Sequence, residues 1–426
     1  MRRSITIRDA CSTVESLFSF LRMCFNSVVE GNEDGYERDW SMDKHTPLIW
    51  KIGSVIHYWD TVFIERMKPI SRAITDRKTR NLFVPMHGVD IKFGTRFDLR
   101  LPNPETIIAQ LETILSKLSR WAINSRYHTS DQIISFHRCS RFTADALEEL
   151  ICDFNLRMKP NPLTVYPFNI SAKVSPINLE YVRVEGGAYK QGADQAMAIG
   201  LEESPTNLVE VMPFNVSKYP VTQGQFLAFI DDGGYQTGKY WSVEGRRWLR
   251  QVRARVPITF KITNGVWYRR LFDKWVILEP NRPTTHVCYF EAEAYCEWAG
   301  GRLIKESEWE YIATERGTSV HVPEYEGNIG LERFDTASVD EDPINGMGVA
   351  GMIGNTWCWC QDKLKPYPGF VARDNDDDSI MERCGVECVV RGGSWCSTRT
   401  TLTKYQRRSI PPESRKHLTG FRIVEK

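Results

Sequence analysis

Pro160, Pro162, Pro167 and Pro176 all fall within KPNPLTVYPFNISAKVSPI, residues 159–177. Each proline fixes its own φ and removes an amide donor, so neither a helix nor a central strand can run through the stretch. The segment is predicted to be an extended connector, and the chain must fold as two pieces around it. We take residues 1–158 as one domain, 159–177 as connector and 178–426 as the second. A length of 426 residues is ample for two cores.

The first piece is patterned for helices. Apolar residues recur at spacings of three and four over residues 9–29, 47–67 and 104–125. They recur again in SFHRCSRFTADALEEL, Ser135 to Leu150, through Phe136, Cys139, Phe142, Ala146, Leu147 and Leu150. Four helices of this length predict an up-down bundle. His137 and Arg141 stand four apart, so both project from one face of the last helix. Two histidines at that spacing would be half of a metal site; here the second is an arginine.

Beyond the connector the texture changes to short strands, glycine-rich turns and many aromatics. LEYVRVEGGAYKQG, residues 179–192, reads as a strand, a Gly-Gly turn and a second strand. Tyr289–Ala299 and Lys305–Glu315 read as amphipathic helices. The fold class expected is α+β. The acidic run 374–378 is read as a solvated loop. No periodic repeat of 20–50 residues is present.

Composition narrows the function classes. A net charge of +1 gives no overall electrostatic pull toward nucleic acid, and none is expected as a partner. No apolar run approaches the ~18 residues that span a bilayer, so a soluble protein without a membrane span is expected. Eleven cysteines make no small-domain disulfide framework and favour a reducing compartment, the cytoplasm. Arg2, Arg3 and Arg8 leave a mitochondrial address as the alternative. Asp9 and Glu15 argue against it, because transit peptides are poor in acids.

Several landmarks then occur in one order: VRVEGGAYKQG (182–192), VSKYPVTQGQFLAFI (216–230), AYCEWAGGRLIKESEWEYIA (294–313), GMIGNTWCWCQD (351–362), VVRGGSWCST (389–398) and TGFRIV (419–424). In them the second piece resembles the formylglycine-generating-enzyme family, a variant of the C-type lectin fold. DDGGYQTGKYWSVEGRRWL (231–249), RPTTHVCYFEAEAYC (282–296) and PYPGF (366–370) resemble the sulfoxide synthases of ergothioneine and ovothiol biosynthesis. HTPLIWKIGSVIHYWDTVFIERM (45–67) and HGVDIKFGTRFDL (87–99) are similar to the same group, the latter to its ovothiol-type branch. The resemblance implies a DinB-like four-helix bundle followed by the lectin-like domain.

The resemblance also implies a non-haem Fe(II) held by three bundle histidines, where O2 couples a cysteine-type thiol to a histidine derivative. Three neutral imidazoles hold such an ion on one side and leave positions open for thiolate and O2. Two of them come from a His-x-x-x-His-x-Glu helix and the third from the second helix. Here the helix motif is HRCSRFT, residues 137–143: His137 is kept, Arg141 stands at the second ligand and Thr143 at the carboxylate. The third ligand position falls in WKIGS at Ser54. A guanidinium cannot deprotonate to coordinate. Its charge about 4 Å from a divalent ion costs several kcal/mol even at an effective dielectric of ~20. His57, one turn beyond Ser54, and His128 are the histidines that could rescue a site.

Other metal chemistries implied by the family fit no better. The copper-binding cysteine pair of the formylglycine enzymes aligns with Ser397 and Leu402, with Cys396 one residue off. Cys358 stands where a glutamate helps hold structural calcium, and a thiol is a poor ligand for a hard cation. Cys358, Cys360, Cys384 and Cys388 match a zinc pattern only loosely and are expected to be buried free thiols. Gly392 and Gly393 are expected to form a tight turn.

The expectation is therefore a sulfoxide-synthase-like protein without a metal cofactor, repurposed as a binding or structural subunit. Its partner would be another protein or a small thiol or histidine-type ligand. The alternative is an active iron(II)- and O2-dependent sulfoxide synthase or thiol oxygenase, with His57 and His137 as remnant ligands. In that alternative Tyr367 lines the substrate cleft as a catalytic tyrosine. Arg399, Arg407 and Arg408, in a basic run with Lys404, Arg415 and Lys416, bind substrate carboxylates.

Overall fold

The computed structural model describes residues 6–29, 48–65, 74–75, 103–123, 128–157, 175–194, 198–314, 327–371 and 378–426. Most of the connector, His45, residues 87–99 and residues 374–377 lie outside these. The chain divides into two compact units, Met1–Asp153 with Asn161–Thr164 and Phe154–Pro160 with Val165–Lys426.

The first unit contains α1 (Ile7–Val29), α2 (Leu48–Tyr58), α3 (Pro104–Ile123) and α4 (Ser130–Leu156). The predicted helices are all present. The second departs from expectation: α2 passes at Trp59 into a π-helical turn, Trp59–Ile64. The wider turn takes up an extra residue and shifts the helical phase, so Trp59, Val62, Phe63 and Ile64 are all buried. α3 buries Ile107, Leu111, Ile114, Leu118 and Trp121, a stripe at spacings of three and four that packs against α1 and α2. Aromatic rings fill the centre. Trp59 meets Phe18, Phe63 and Phe136 edge-on at 5.9, 5.5 and 5.7 Å, and Trp121 stacks on Phe136 at 5.2 Å.

The second unit is built from short strands. One sheet runs β1 (Tyr181–Val184), β4 (Phe214–Ser217), β13 (Ile423–Glu425), β8 (Gly301–Leu303). Another runs β11 (Arg407–Ile410), β10 (Cys388–Arg391), β9 (Trp357–Lys363), β12 (Thr419–Phe421), with β12 parallel to β9. β2 (Gly187–Gln191) pairs with β3 (Asn207–Val211), and β5 (Phe260–Thr263), β6 (Val266–Leu271) and β7 (Lys274–Ile277) form a meander. The helices are α5 (Gln223–Asp231), α6 (Val243–Val252), α7 (Tyr289–Trp298), α8 (Glu306–Thr314) and α9 (Asp378–Arg383).

Two strands and a Gly-Gly turn are found where the sequence places them, but β1 and β2 do not pair with each other. Gly186 and Gly187 take φ of +70° and +130° and carry the chain from one sheet into another. β9 divides the interior. Its Trp357 and Trp359 enter the cluster of Phe226, Phe229 and Tyr295, while Cys358 and Cys360 enter that of Val184, Trp309 and Val389. This is the period-two alternation of a strand buried on both faces. No described helix is long and apolar enough to cross a membrane.

Candidate functional site

In the first unit, α2 carries Ser54 and His57, and α4 carries His137, Arg141 and Thr143. Ser54 is buried, and its hydroxyl donates to the Trp50 carbonyl one turn back at 2.8 Å. Thr143 is fully buried; its hydroxyl donates to the Cys139 carbonyl at 2.7 Å and accepts the Trp59 indole N–H at 2.9 Å. Arg141 and His57 are 8% and 9% exposed, and His137 is partly exposed. His128 stacks on Trp121 at 3.9 Å, with Nε2 2.8 Å from the Trp121 carbonyl. A carbonyl only accepts, so that nitrogen carries the proton and is taken up inside the unit.

Charge near these residues is locally paired. Lys51 Nζ lies 3.2 Å from both Glu149 and Asp153 carboxylates. Burial alone would lower the Lys51 ammonium, but the two carboxylates outweigh it and raise its pKa. Asp60 is buried and accepts from the Ile74 and Thr75 amides and the Thr75 hydroxyl at 2.8, 2.9 and 2.6 Å. Among the described residues, no three His, Cys, Asp or Glu side chains converge to hold an ion.

The second unit gathers its buried charge around α8. Arg391, fully buried on β10, spans Glu306 Oε1 at 3.3 Å and Glu310 Oε2, and donates to the carbonyls of Tyr405 and Lys404 at 3.1 and 3.0 Å. Arg407, 3% exposed, forks Glu306 through Nε at 2.6 Å and a terminal nitrogen at 2.9 Å. Glu310 also accepts the Gly192 amide at 2.6 Å. Tyr367 is buried, with its hydroxyl 3.5 Å from Glu310 Oε2 and the Arg407 guanidinium 4.1 Å from its ring centre. Burial, then Glu306 and Glu310, raises the Tyr367 phenol well above its ordinary range. Burial also raises the Glu310 carboxyl, against the pull of Arg391 and the Gly192 amide.

Two of the sequence-derived candidates, Tyr367 and Arg407, thus meet in one network. The others do not join it. Arg408 lies over Trp357 at 5.6 Å, Arg399 is exposed, and Arg415 pairs with Glu291, which also takes the Tyr235 hydroxyl. The basic run is therefore divided among different partners. Arg391 was visible only as part of a landmark, since nothing in the sequence pairs it with Glu306 and Glu310.

The buried polar network around Asn355 was not legible. Asn355, in the left-handed region at φ +61°, accepts from Asn328 and the Ala337 amide and donates to the Ala337 carbonyl and Asp342. Burial pushes the Asp342 carboxyl up to about 7. Cys358, Cys360 and Cys388 are buried free thiols, and Cys384 is half-buried. Burial pushes the Cys358 and Cys388 thiols up to about 11 and about 12, which opposes the thiolate form that zinc requires.

Residues 170–426 match the family model of the sulfatase-modifying factor enzyme 1-like domain. The chain is 33% identical over 239 residues to hercynine oxygenase of Mycobacterium tuberculosis, covering 52% of this chain and 55% of that protein. It is 30% identical over 296 residues to hercynine oxygenase of Mycolicibacterium smegmatis, covering 65% and 68%. Formylglycine-generating enzyme of Bos taurus is 26% identical over 281 residues, covering 57% and 74%. The match to the first of these spans little more than half of that relative's length. The matched family domain covers well over half of the chain, which therefore belongs to the sulfatase-modifying factor enzyme 1-like family.

Proposed function

We propose that this chain is a hercynine-oxygenase-like protein whose helical unit, a DinB-like bundle, has given up a three-imidazole iron site. It serves as a binding or structural subunit for a protein partner or for a small thiol or histidine-type ligand. The carrying observation is the joint exchange at residues 54, 141 and 143. The hydroxyls at 54 and 143 are engaged by Trp50 and Trp59, and a buried guanidinium occupies position 141. Those groups do not make a donor set for Fe(II), whose binding needs ligand count and geometry together.

The test is anaerobic Fe(II) titration of the purified chain, followed by oxygen-electrode assays with cysteine and a histidine betaine. We expect no stoichiometric iron and no thiol-dependent oxygen uptake. One iron per chain, with uptake that requires both substrates, sinks this reading.

A second reading has its own support in the 30–33% identity to hercynine oxygenases. Here the protein is an iron(II)- and O2-dependent oxidoreductase acting on a histidine derivative, with His57 and His137 as candidate ligands and Tyr367 as the candidate catalytic tyrosine. Arg399, Arg407 and Arg408 would bind carboxylates, although Arg407 would first have to leave Glu306. Under this reading, His57→Ala and His137→Ala each abolish iron binding. Full retention of iron by both variants rejects it.

A further inference from the structure

Residues 239–277 hold ten of the chain's basic residues and only two acids, Glu244 and Asp273. The segment therefore carries 10 − 2 = +8, and the remaining chain 1 − 8 = −7. An almost neutral protein is strongly polarised at one place.

The structure puts most of that charge on the surface. α6 turns Gly245 and Trp248 inward. Val243, Arg246, Arg247 and Arg250, at spacings of three and four, occupy the opposite, exposed face. Arg253 closes the helix, and Arg255 comes two residues later, also exposed. Among the described residues, Arg247, Arg250, Arg253 and Arg255 form no ion pair with a carboxylate. Like charges at these spacings work against the helix, so the face gains nothing for the fold from its arginines. Arg269 is different: it is buried between Asp335 and Glu279 and belongs to the interior.

Apolar side chains stand exposed among these cations. Six of the fourteen exposed large hydrophobics of the described residues fall in this one segment: Val243, Val252, Ile258, Ile262, Val266 and Ile277. Ile262 and Val266 flank the Asn264-Gly265 turn of the β5–β6 hairpin, 55% and 41% exposed. Register aligns Lys261, Tyr268 and Ile277 across the meander. α6 and the meander border the same core cluster, through Trp248 and Leu249 on one side and Phe260 and Trp267 on the other.

We propose that this surface docks on an anionic phospholipid bilayer. Arginines supply attraction to phosphate headgroups, and the hairpin tip and Val243 enter the boundary between headgroups and acyl chains. Half-buried Tyr268 and Trp275 suit the same depth. A single-stranded nucleic acid would use the cations but needs open aromatic faces for its bases. Trp275 is covered by Lys261 at 4.3 Å and Arg270 at 4.9 Å, and branched aliphatics offer a phosphate nothing.

The experiment is co-sedimentation of the full chain with phosphatidylcholine vesicles, with and without phosphatidylglycerol, at low and high salt. Binding is expected only with phosphatidylglycerol and is weakened by salt. Neutralising one arginine near the surface lowers affinity about fivefold, so R247Q/R250Q/R253Q together lower it about a hundredfold. I262S/V266S weakens binding at both salt concentrations. Circular dichroism and thermal midpoints check that the variants fold, with R250Q as the mildest control. Absence of binding, equal binding to both vesicles, or wild-type affinity in the triple variant overturns the proposal. Displacement of the vesicles by a tighter-binding oligonucleotide also overturns it and assigns the face to nucleic acid.

Discussion

The Trp59 indole N–H donates to Thr143 Oγ1 at 2.9 Å across the interior of the helical unit, joining residues that lie 84 apart in sequence. The threonine hydroxyl donates in turn to the Cys139 carbonyl, so both of its roles are filled. Position 143 is thereby a structural clamp. Thr143→Val keeps shape and volume but leaves the buried indole without its acceptor, costing about 1–3 kcal/mol. Thr143→Ser keeps the acceptor and costs less. Urea denaturation of the two variants checks the order; equal stability of Thr143→Val and wild type removes the clamp.

The ion network around α8 makes a second prediction. Arg391 is the shared partner of Glu306 and Glu310; without it Glu306 keeps the Arg407 fork, but Glu310 loses its ion-pair partner in the interior. Arg391→Met should destabilise by about 3–5 kcal/mol, because an unpaired buried charge costs more than the pair contributes. Arg391→Met with Glu310→Gln should lose less than the sum of the single changes, since the second substitution removes the stranded charge. Strict additivity in a denaturant double-mutant cycle contradicts the coupling.

The elements were legible where they obey one period. The stripes of α1, α3 and α4 and the turns around Gly186 and Gly187 could be read directly. The π-turn at Trp59–Ile64 could not, because an inserted residue shifts the helical phase without leaving a marker residue. Pairing across the chain was equally hidden. Nothing local in RVEGGAYK says that β1 joins β4 and β13 while β2 joins β3. The candidate site divides in the same way. Arg141 and Thr143 could be picked out against the motif that the resemblance implies, whereas the engagement of Arg407 by Glu306 depends on residues 101 apart meeting in space. A sequence shows that an arginine is present, but its availability depends on which carboxylates the fold brings to it.

The RGGSW turn gives a backbone prediction. Gly392 sits at φ +97°, and a Cβ there would lie 2.7 Å from the Met352 carbonyl oxygen. The obstacle is backbone, and the conformation is one that L-residues avoid. Gly392→Ala should lower stability by about 1–3 kcal/mol. A thermal midpoint equal to wild type removes the constraint.

Two buried groups predict opposing pH dependences. The Asp342 carboxyl rises from 3.8 to about 7 through burial, so between these values the folded chain keeps a proton that the unfolded chain has lost. Its contribution is full below pH 3.8 and is lost as pH rises toward about 7. His286 goes the other way: burial lowers it from 6.5 to about 4, despite the 3.2 Å contact of Nδ1 with the Arg415 carbonyl. Its contribution is full above pH 6.5 and is lost as pH falls toward about 4. The two largely offset one another in the wild type. Asp342→Asn should expose the histidine limb, with stability rising by roughly 3 kcal/mol from pH 4 to 6.5. His286→Gln should expose the opposite slope. Urea midpoints across this range that run parallel for all three proteins contradict the assignment.

Replacing the exchanged side chains tests the metal reading from the opposite direction. If Ser54 and Arg141 occupy ligand positions, S54H/R141H places two imidazoles beside His137 and removes a fixed positive charge. Loss of the charge alone should favour a divalent ion by several kcal/mol at an effective dielectric of ~20 and a separation of about 4 Å. R141H alone should therefore raise Fe(II) affinity, and the double variant should raise it further by completing the count of three. Among the described residues, Ser54 makes only a hydrogen bond within its own helix, so its replacement strands no interhelical partner there. Isothermal titration with Fe(II), and with Co(II) for its d–d absorption, measures the gain directly. Tetrahedral or five-coordinate cobalt bands in the double variant, and none in wild type, are the expected result. Unchanged affinity in a folded double variant would show that residues 54 and 141 do not face a common point with His137.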